Sequence, residues 1–122
     1  DLIEHLYNAQ FLKFTLECRR VLKIGGVLII YTPNPVNLLS PFFYLKKGTP
    51  FDDPTHVGLR SPISIYKVLV SSGFVIKKFY CIRNFPLVQR FLEILLEIVR
   101  SFWVIPFILG GRTCIKAEKA ND

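Results

Sequence analysis

Methionine is missing altogether from these 122 residues, position 1 included. An Asp behind an initiator Met normally blocks trimming, since only small residues permit it, so the expectation is part of a longer polypeptide. Cysteine is scarce: Cys18, Cys81 and Cys114 are odd in number, far apart and without a C-x-x-C pair. That excludes the common zinc and dithiol motifs and an even disulfide framework. Each lies in an apolar segment, the setting of buried free thiols in a reducing compartment. A cytoplasmic protein is expected. Internal repeats and low-complexity tracts are absent as well. Basic residues outnumber acidic ones, 16 to 9, for a formal charge of +7. They are scattered, and the densest groups are dyads: Arg19-Arg20, Lys46-Lys47 and Lys77-Lys78. Nucleic-acid binders gather such residues into a stripe among exposed aromatics. Nucleic acid is therefore not expected as a partner, although scattered cations also suit a protein resting on an anionic membrane.

What is present is apolar. Hydrophobic residues make up 51% of the chain and aromatics 14%, which excludes disorder over most of its length. The length suits one domain with a core of modest size. Asn8 is placed to cap a helix running to about Leu22. Phe11, Leu12, Thr15, Cys18, Val21 and Leu22 recur at helical spacing and leave Lys13, Glu17 and Arg20 toward water. Gly25-Gly26 supplies a left-handed stop. Val27 to Tyr31 is a continuous β-branched and aromatic run, the pattern of a strand covered on both faces. Thr32-Pro33-Asn34-Pro35 ends it, because proline brings no ladder donor.

Residues 36–60 read as a long connection, and connections of this length tend to be functional. Ser61-Pro62 opens the next helix as cap and first-turn proline, and Gly73 closes it. Phe74 to Ile82 reads as a strand, and Thr113 to Ala117 as a short last one. Between them, Gln89, Arg90, Glu93, Glu97 and Arg100 form one polar stripe on an otherwise apolar helix. Four charges between residues 90 and 100 exclude a simple membrane span. Phe102 to Leu109 continues as an apolar stretch broken by Pro106. Two readings stand for 86–109: a helix packed on the sheet or on the rest of a larger protein, or a surface that meets membrane or a lipid substrate. The alternation of strands and helices predicts an α/β fold with a mostly parallel sheet. In such sheets ligands bind beyond the carboxyl ends of the strands. Three groups stand at or near such ends: Asp1/Glu4/His5, Thr32 to Asn34, and His56.

Two blocks carry a resemblance. Asp1-Leu2-Ile3-Glu4-His5-Leu6 is followed by Arg20-Val21-Leu22-Lys23-Ile24-Gly25-Gly26, an apolar strand and Thr32-Pro33-Asn34. Farther on stand Thr55-His56-Val57-Gly58-Leu59-Arg60-Ser61, a helix and Ser72-Gly73-Phe74. The combination resembles the C-terminal half of a class I S-adenosylmethionine (SAM)-dependent methyltransferase of the ubiquinone-type, methyltransferase-domain family. It covers roughly residues 1–82, with a weaker match at the last strand. Ile24 replaces the proline of the family's L-K-P-G-G.

The resemblance implies the C-terminal part of a Rossmann-like seven-stranded sheet flanked by helices. Residues 1–122 then run from the end of strand 4 to the last strand, with an amphipathic, hydrophobic helical insertion at 86–109. The glycine-rich cofactor loop falls before Asp1, so this stretch alone is expected to be inactive. SAM is the implied cofactor, with Asp1 on its binding side. The implied activity is methyl transfer to a small-molecule or lipid-linked acceptor, with His5 and His56 as the catalytic candidates. Asp1-x-x-Glu4-His5 also resembles the E-x-x-E-H arrangement of two metal-using branches, the ubiquinone-type and the small-RNA 2′-O-methyltransferases. The second adds a later His, which His56 matches. Asp1, Glu4, His5 and His56 are then the metal candidates, with Asp1 one methylene shorter than the family's Glu. The Glu-His pair is widespread in members that need no metal, and that reading ranks ahead of the metal one. The alternatives are a non-catalytic relic and a membrane-surface module carried by 86–109.

Overall fold

The computed structural model describes residues 2–36, 53–82 and 111–121. Asp1, most of the long connection and the whole 86–109 segment lie outside the described residues. A short 3-10 turn, Ile3–His5, leads into helix α1, Asn8–Val21. Strand β1 spans Val27–Pro33, helix α2 spans Pro62–Ser71, and strands β2 and β3 span Phe74–Ile82 and Arg112–Lys119.

The described strands form one sheet in the order β1-β3-β2, and β3 runs antiparallel to both neighbours. The expectation of a mostly parallel sheet is corrected here. β1 and β2 do point the same way, joined through α2, but β3 inserts between them and makes every ladder antiparallel. Period and composition assign strands but say nothing about which strand lies between which.

Among the described residues the core is an apolar layer between the sheet and helices α1 and α2. Ile30, Ile115, Ala117 and Phe74 from the strands meet Phe11, Ile65 and Leu69 from α1 and α2, with Ile3 from the 3-10 turn. Each fully buried aliphatic or aromatic side chain here stabilises by ~1.5–3 kcal/mol relative to exposure. The continuous apolar run of β1 was expected to be covered on both faces. Instead its burial alternates: Ile30 and Thr32 are buried, whereas Ile29 is 65% exposed, with Val27 and Tyr31 on the same open face.

Local chemistry explains the helix ends. Ser61 caps α2 by accepting from the Ser64 N–H at 3.2 Å, with Pro62 in the first turn. Gly73 follows α2 with φ +82°, a backbone that side chains rarely adopt. For α1 the expected cap is shifted. Tyr7 is the N-cap, and its N–H donates to the Gln10 side chain at 2.8 Å. Asn8 is released for a different task, described below. Leu12 and Val21, expected inward, are exposed, because the inward stripe of α1 runs through Phe11, Phe14, Thr15 and Cys18.

β2 carries a bulge between Ile76 and Lys78, opposite Ala117 and Lys116. The extra residue lets Lys77 and Lys78 both face water and returns Phe79 to the inner face. At the far end of the sheet, the Lys119 N–H donates to the Gly26 carbonyl at 2.9 Å, the Gly25 N–H donates to the Lys119 carbonyl at 3.2 Å, and the Lys119 ammonium donates to the Leu22 carbonyl at 2.9 Å.

Candidate functional site

The 3-10 turn and the 53–60 segment meet in a polar seam at the carboxyl end of β1. Arg60 is its anchor. Its side chain is 6% exposed, yet no carboxylate partners it among the bonds it makes. Instead Nη1 donates to the carbonyls of Ile3 and Gly58 at 2.7 and 2.6 Å, and Nη2 donates to Leu6 O at 2.6 Å. Nε donates to the Asn8 side-chain oxygen at 3.2 Å, and the guanidinium lies 4.6 Å over the Phe11 ring. Burial lowers the Arg60 pKa from its ordinary value. The planar fork of donors is what allows one side chain to satisfy three carbonyls at once.

Gly58 completes the join. Its N–H donates to the Glu4 carbonyl at 2.8 Å. A Cβ at this position would land on the Leu6 carbonyl oxygen and 2.7 Å from Arg60 Nη1. Only glycine lets the two segments approach this closely.

The seam fixes the candidate site residues. Glu4 is 2% exposed, and its Oε2 accepts from the Thr32 hydroxyl at 3.3 Å. His5 is exposed, whereas the His56 side chain is mostly covered. The two imidazoles meet edge to face, with centroids 4.6 Å apart and planes at 63°. One oxygen of Glu4 and one nitrogen of each ring all lie within 4.8 Å of one another.

Asp53 and Thr55 surround the pair. Asp53 Oδ1 accepts from the Thr55 N–H at 2.9 Å and from the Thr55 hydroxyl at 2.7 Å, a side-chain turn of the Asx type. These bonds, with the two imidazoles as lesser contributors, hold the Asp53 carboxyl below its ordinary range. His5 Nδ1 stands 3.1 Å from Thr55 O and 3.0 Å from Thr55 Oγ1. His56 Nε2 stands 3.7 Å from Asp53 Oδ2.

Glu4, His5, His56 and Thr32 are therefore brought together; Asp1 lies outside the described residues. Asn34 directly follows β1. It is fully buried, its N–H donates to Gly111 O at 3.0 Å, and its side-chain oxygen accepts from the Val36 N–H at 3.1 Å. Asp53 and Thr55 escaped the sequence reading, although Asp53-Pro54-Thr55 carries the i, i+2 spacing of such a turn.

An oxygen and two nitrogens suit Zn²⁺, Fe²⁺ or Mn²⁺ better than Mg²⁺, which prefers oxygens. Donors bonded to one such ion at ~2.1 Å stand at most ~4.2 Å apart, close to the 4.8 Å that bounds this trio. The residues fit an ion on those terms.

The arrangement of sheet, covering helices and polar strand-end seam defines a methyltransferase-like α/β fold. In particular, the chain is similar to the solved structure of a SAM-dependent methyltransferase from Archaeoglobus fulgidus. The two are 20% identical with a TM-score of 0.67, over 97% of this chain and 56% of that one. The chain thus spans little more than half of that protein's length. No family model matches the chain, and no curated protein matches it in sequence. Among the described residues no helix is long and apolar enough to cross a membrane.

Proposed function

We propose that this chain contributes the acceptor-side half of a SAM-dependent methyltransferase of the ubiquinone-type family, acting on a small-molecule or lipid-linked acceptor. The observation that carries the reading is the meeting of His5, His56 and Glu4 at the carboxyl end of β1, within a fold like that of a SAM-dependent methyltransferase. When bound, SAM would supply a methyl group on a sulfonium for in-line transfer to an acceptor heteroatom, which would give up a proton as it gains the carbon.

His5 is the group to receive that proton, since it is exposed at the strand end and an imidazole nitrogen with a free lone pair is a proton acceptor. Glu4 and Thr32 set the floor beneath it, and His56 flanks it. Alignment of acceptor and methyl group supplies most of the remaining acceleration.

The test is His5→Ala in the full-length polypeptide, with turnover and SAM affinity measured separately. Turnover is expected to fall by ~10²-fold or more while SAM affinity changes little. Equal loss in both would assign His5 to shaping the pocket.

One observation favours a second reading, in which Glu4, His5 and His56 hold a divalent ion that lowers the pKa of the acceptor hydroxyl. Calorimetric titration with Zn²⁺ or Mn²⁺ decides it. Binding that disappears in His56→Ala supports the ion; absence of binding in the parent chain removes it.

A further inference from the structure

We propose that Asp53 and Thr55 are positioning residues for His5, holding its imidazole as the Nδ1–H tautomer and leaving the lone pair on Nε2. The inference deepens the role given to His5 above and rests on that reading for its functional meaning, but the tautomer itself follows from the geometry.

An ionised carboxylate only accepts, so the 2.7 Å contact between Thr55 Oγ1 and Asp53 Oδ1 commits the threonine's one hydroxyl hydrogen to Asp53. Thr55 Oγ1 is then left with acceptor lone pairs alone. The Thr55 carbonyl is likewise only an acceptor. Both oxygens stand 3.0–3.1 Å from the same atom, His5 Nδ1. A bare ring nitrogen facing two oxygen lone pairs would be repelled by both. With a hydrogen on Nδ1, both contacts become attractive in one shared bond. Free imidazole side chains in water favour the opposite tautomer, so the Asp53–Thr55 pair inverts a preference rather than following it.

The consequence is chemical. Nε2 becomes the atom that takes a proton or binds an ion, and the oxygens on the other nitrogen fix the ring plane. Asp53 reaches both rings, because its second oxygen stands 3.7 Å from His56 Nε2. The turn beginning at Asp53 therefore sets the posture of both imidazoles, and the backbone bond from His56 N to Asp53 O, 3.0 Å, keeps it compact.

The chain holds two histidines, so uniform ¹⁵N-histidine labelling and long-range ¹H–¹⁵N correlation spectra read each ring separately, with His56→Gln assigning the signals. At about pH 8, above the ordinary imidazole range, His5 is expected to show a protonated Nδ1 and an unprotonated Nε2. Thr55→Val removes the hydroxyl but keeps the carbonyl, and the Nε2–H fraction of His5 is expected to rise several-fold. Thr55→Ser is expected to restore the parent spectrum, and it guards against a variant that has lost its fold. A parent His5 found mainly as Nε2–H, or a tautomer ratio indifferent to Thr55→Val in a folded chain, overturns the proposal. Turnover in the full-length polypeptide separates the two layers. A tautomer shift with a matching fall in kcat, repaired by Thr55→Ser, supports both. A tautomer shift with unchanged kcat keeps the positioning role and sinks the assignment of His5 as base.

Discussion

Two regions of this molecule are held together by different physics. The layer between sheet and helices is apolar: Ile65, Leu69 and Ile115 are wholly buried and make no directed bonds through their side chains. The seam between the 3-10 turn and residues 53–60 is polar, closed by four Arg60 donors, one Gly58 N–H and the Asp53–Thr55–His5 contacts. Area-driven packing tolerates exchange of shape, because most neighbours keep most of their contacts. Directed bonds do not, because each removed donor leaves buried acceptors without a partner. The candidate site is built on the second kind, which supplies the fixed angles that proton transfer or ion binding requires.

The contrast is broken most sharply at Arg60. Arg60→Ala strands three carbonyls and is expected to cost about 3 kcal/mol or more in denaturant unfolding. Arg60→Lys is expected to recover less than half of that, since an ammonium cannot span three acceptors in one plane. Full recovery by lysine would mean that charge alone holds the seam. Next in size is Gly58→Ala, whose added methyl collides with the Leu6 backbone carbonyl as well as with the Arg60 guanidinium. About 2 kcal/mol is expected, with His5 and His56 signals displaced while those of β3 stay put. A variant with parent-like stability would show that the two segments can separate freely. Ile65→Val, in the apolar layer, is expected to cost only ~1 kcal/mol, with the imidazole signals unmoved. Movement of those signals would show that the two regions are coupled after all.

Much of the fold was readable from residue order. Ser61-Pro62 at the start of α2, Gly73 at its end and the span of β2 all stand where local chemistry places them, because capping and propensity act over three or four residues. The Lys77-Lys78 pair was readable as a strand interior but not as a bulge, which exists only once Ala117 and Lys116 lie opposite. The site was legible in part. Glu4, His5 and His56 could be named, yet their approach depends on Arg60 and Gly58 closing a gap of more than fifty residues. Asn34 was legible as the residue that follows the strand, but its backbone bond to Gly111 exists only once the start of β3 lies beside it.

Sequence by itself determined the spans of the described helices and strands to within a few residues, the capping of α2 and the residue types able to move a proton or bind an ion. These follow from interactions between near neighbours along the chain. Only the tertiary structure decided that β3 lies between β1 and β2, that one face of β1 is open, and that Thr55 and Asp53 stand behind His5. Those outcomes depend on pairing and closure between distant residues. Many such arrangements share the same local preferences, and burial together with hydrogen-bond satisfaction selects one of them.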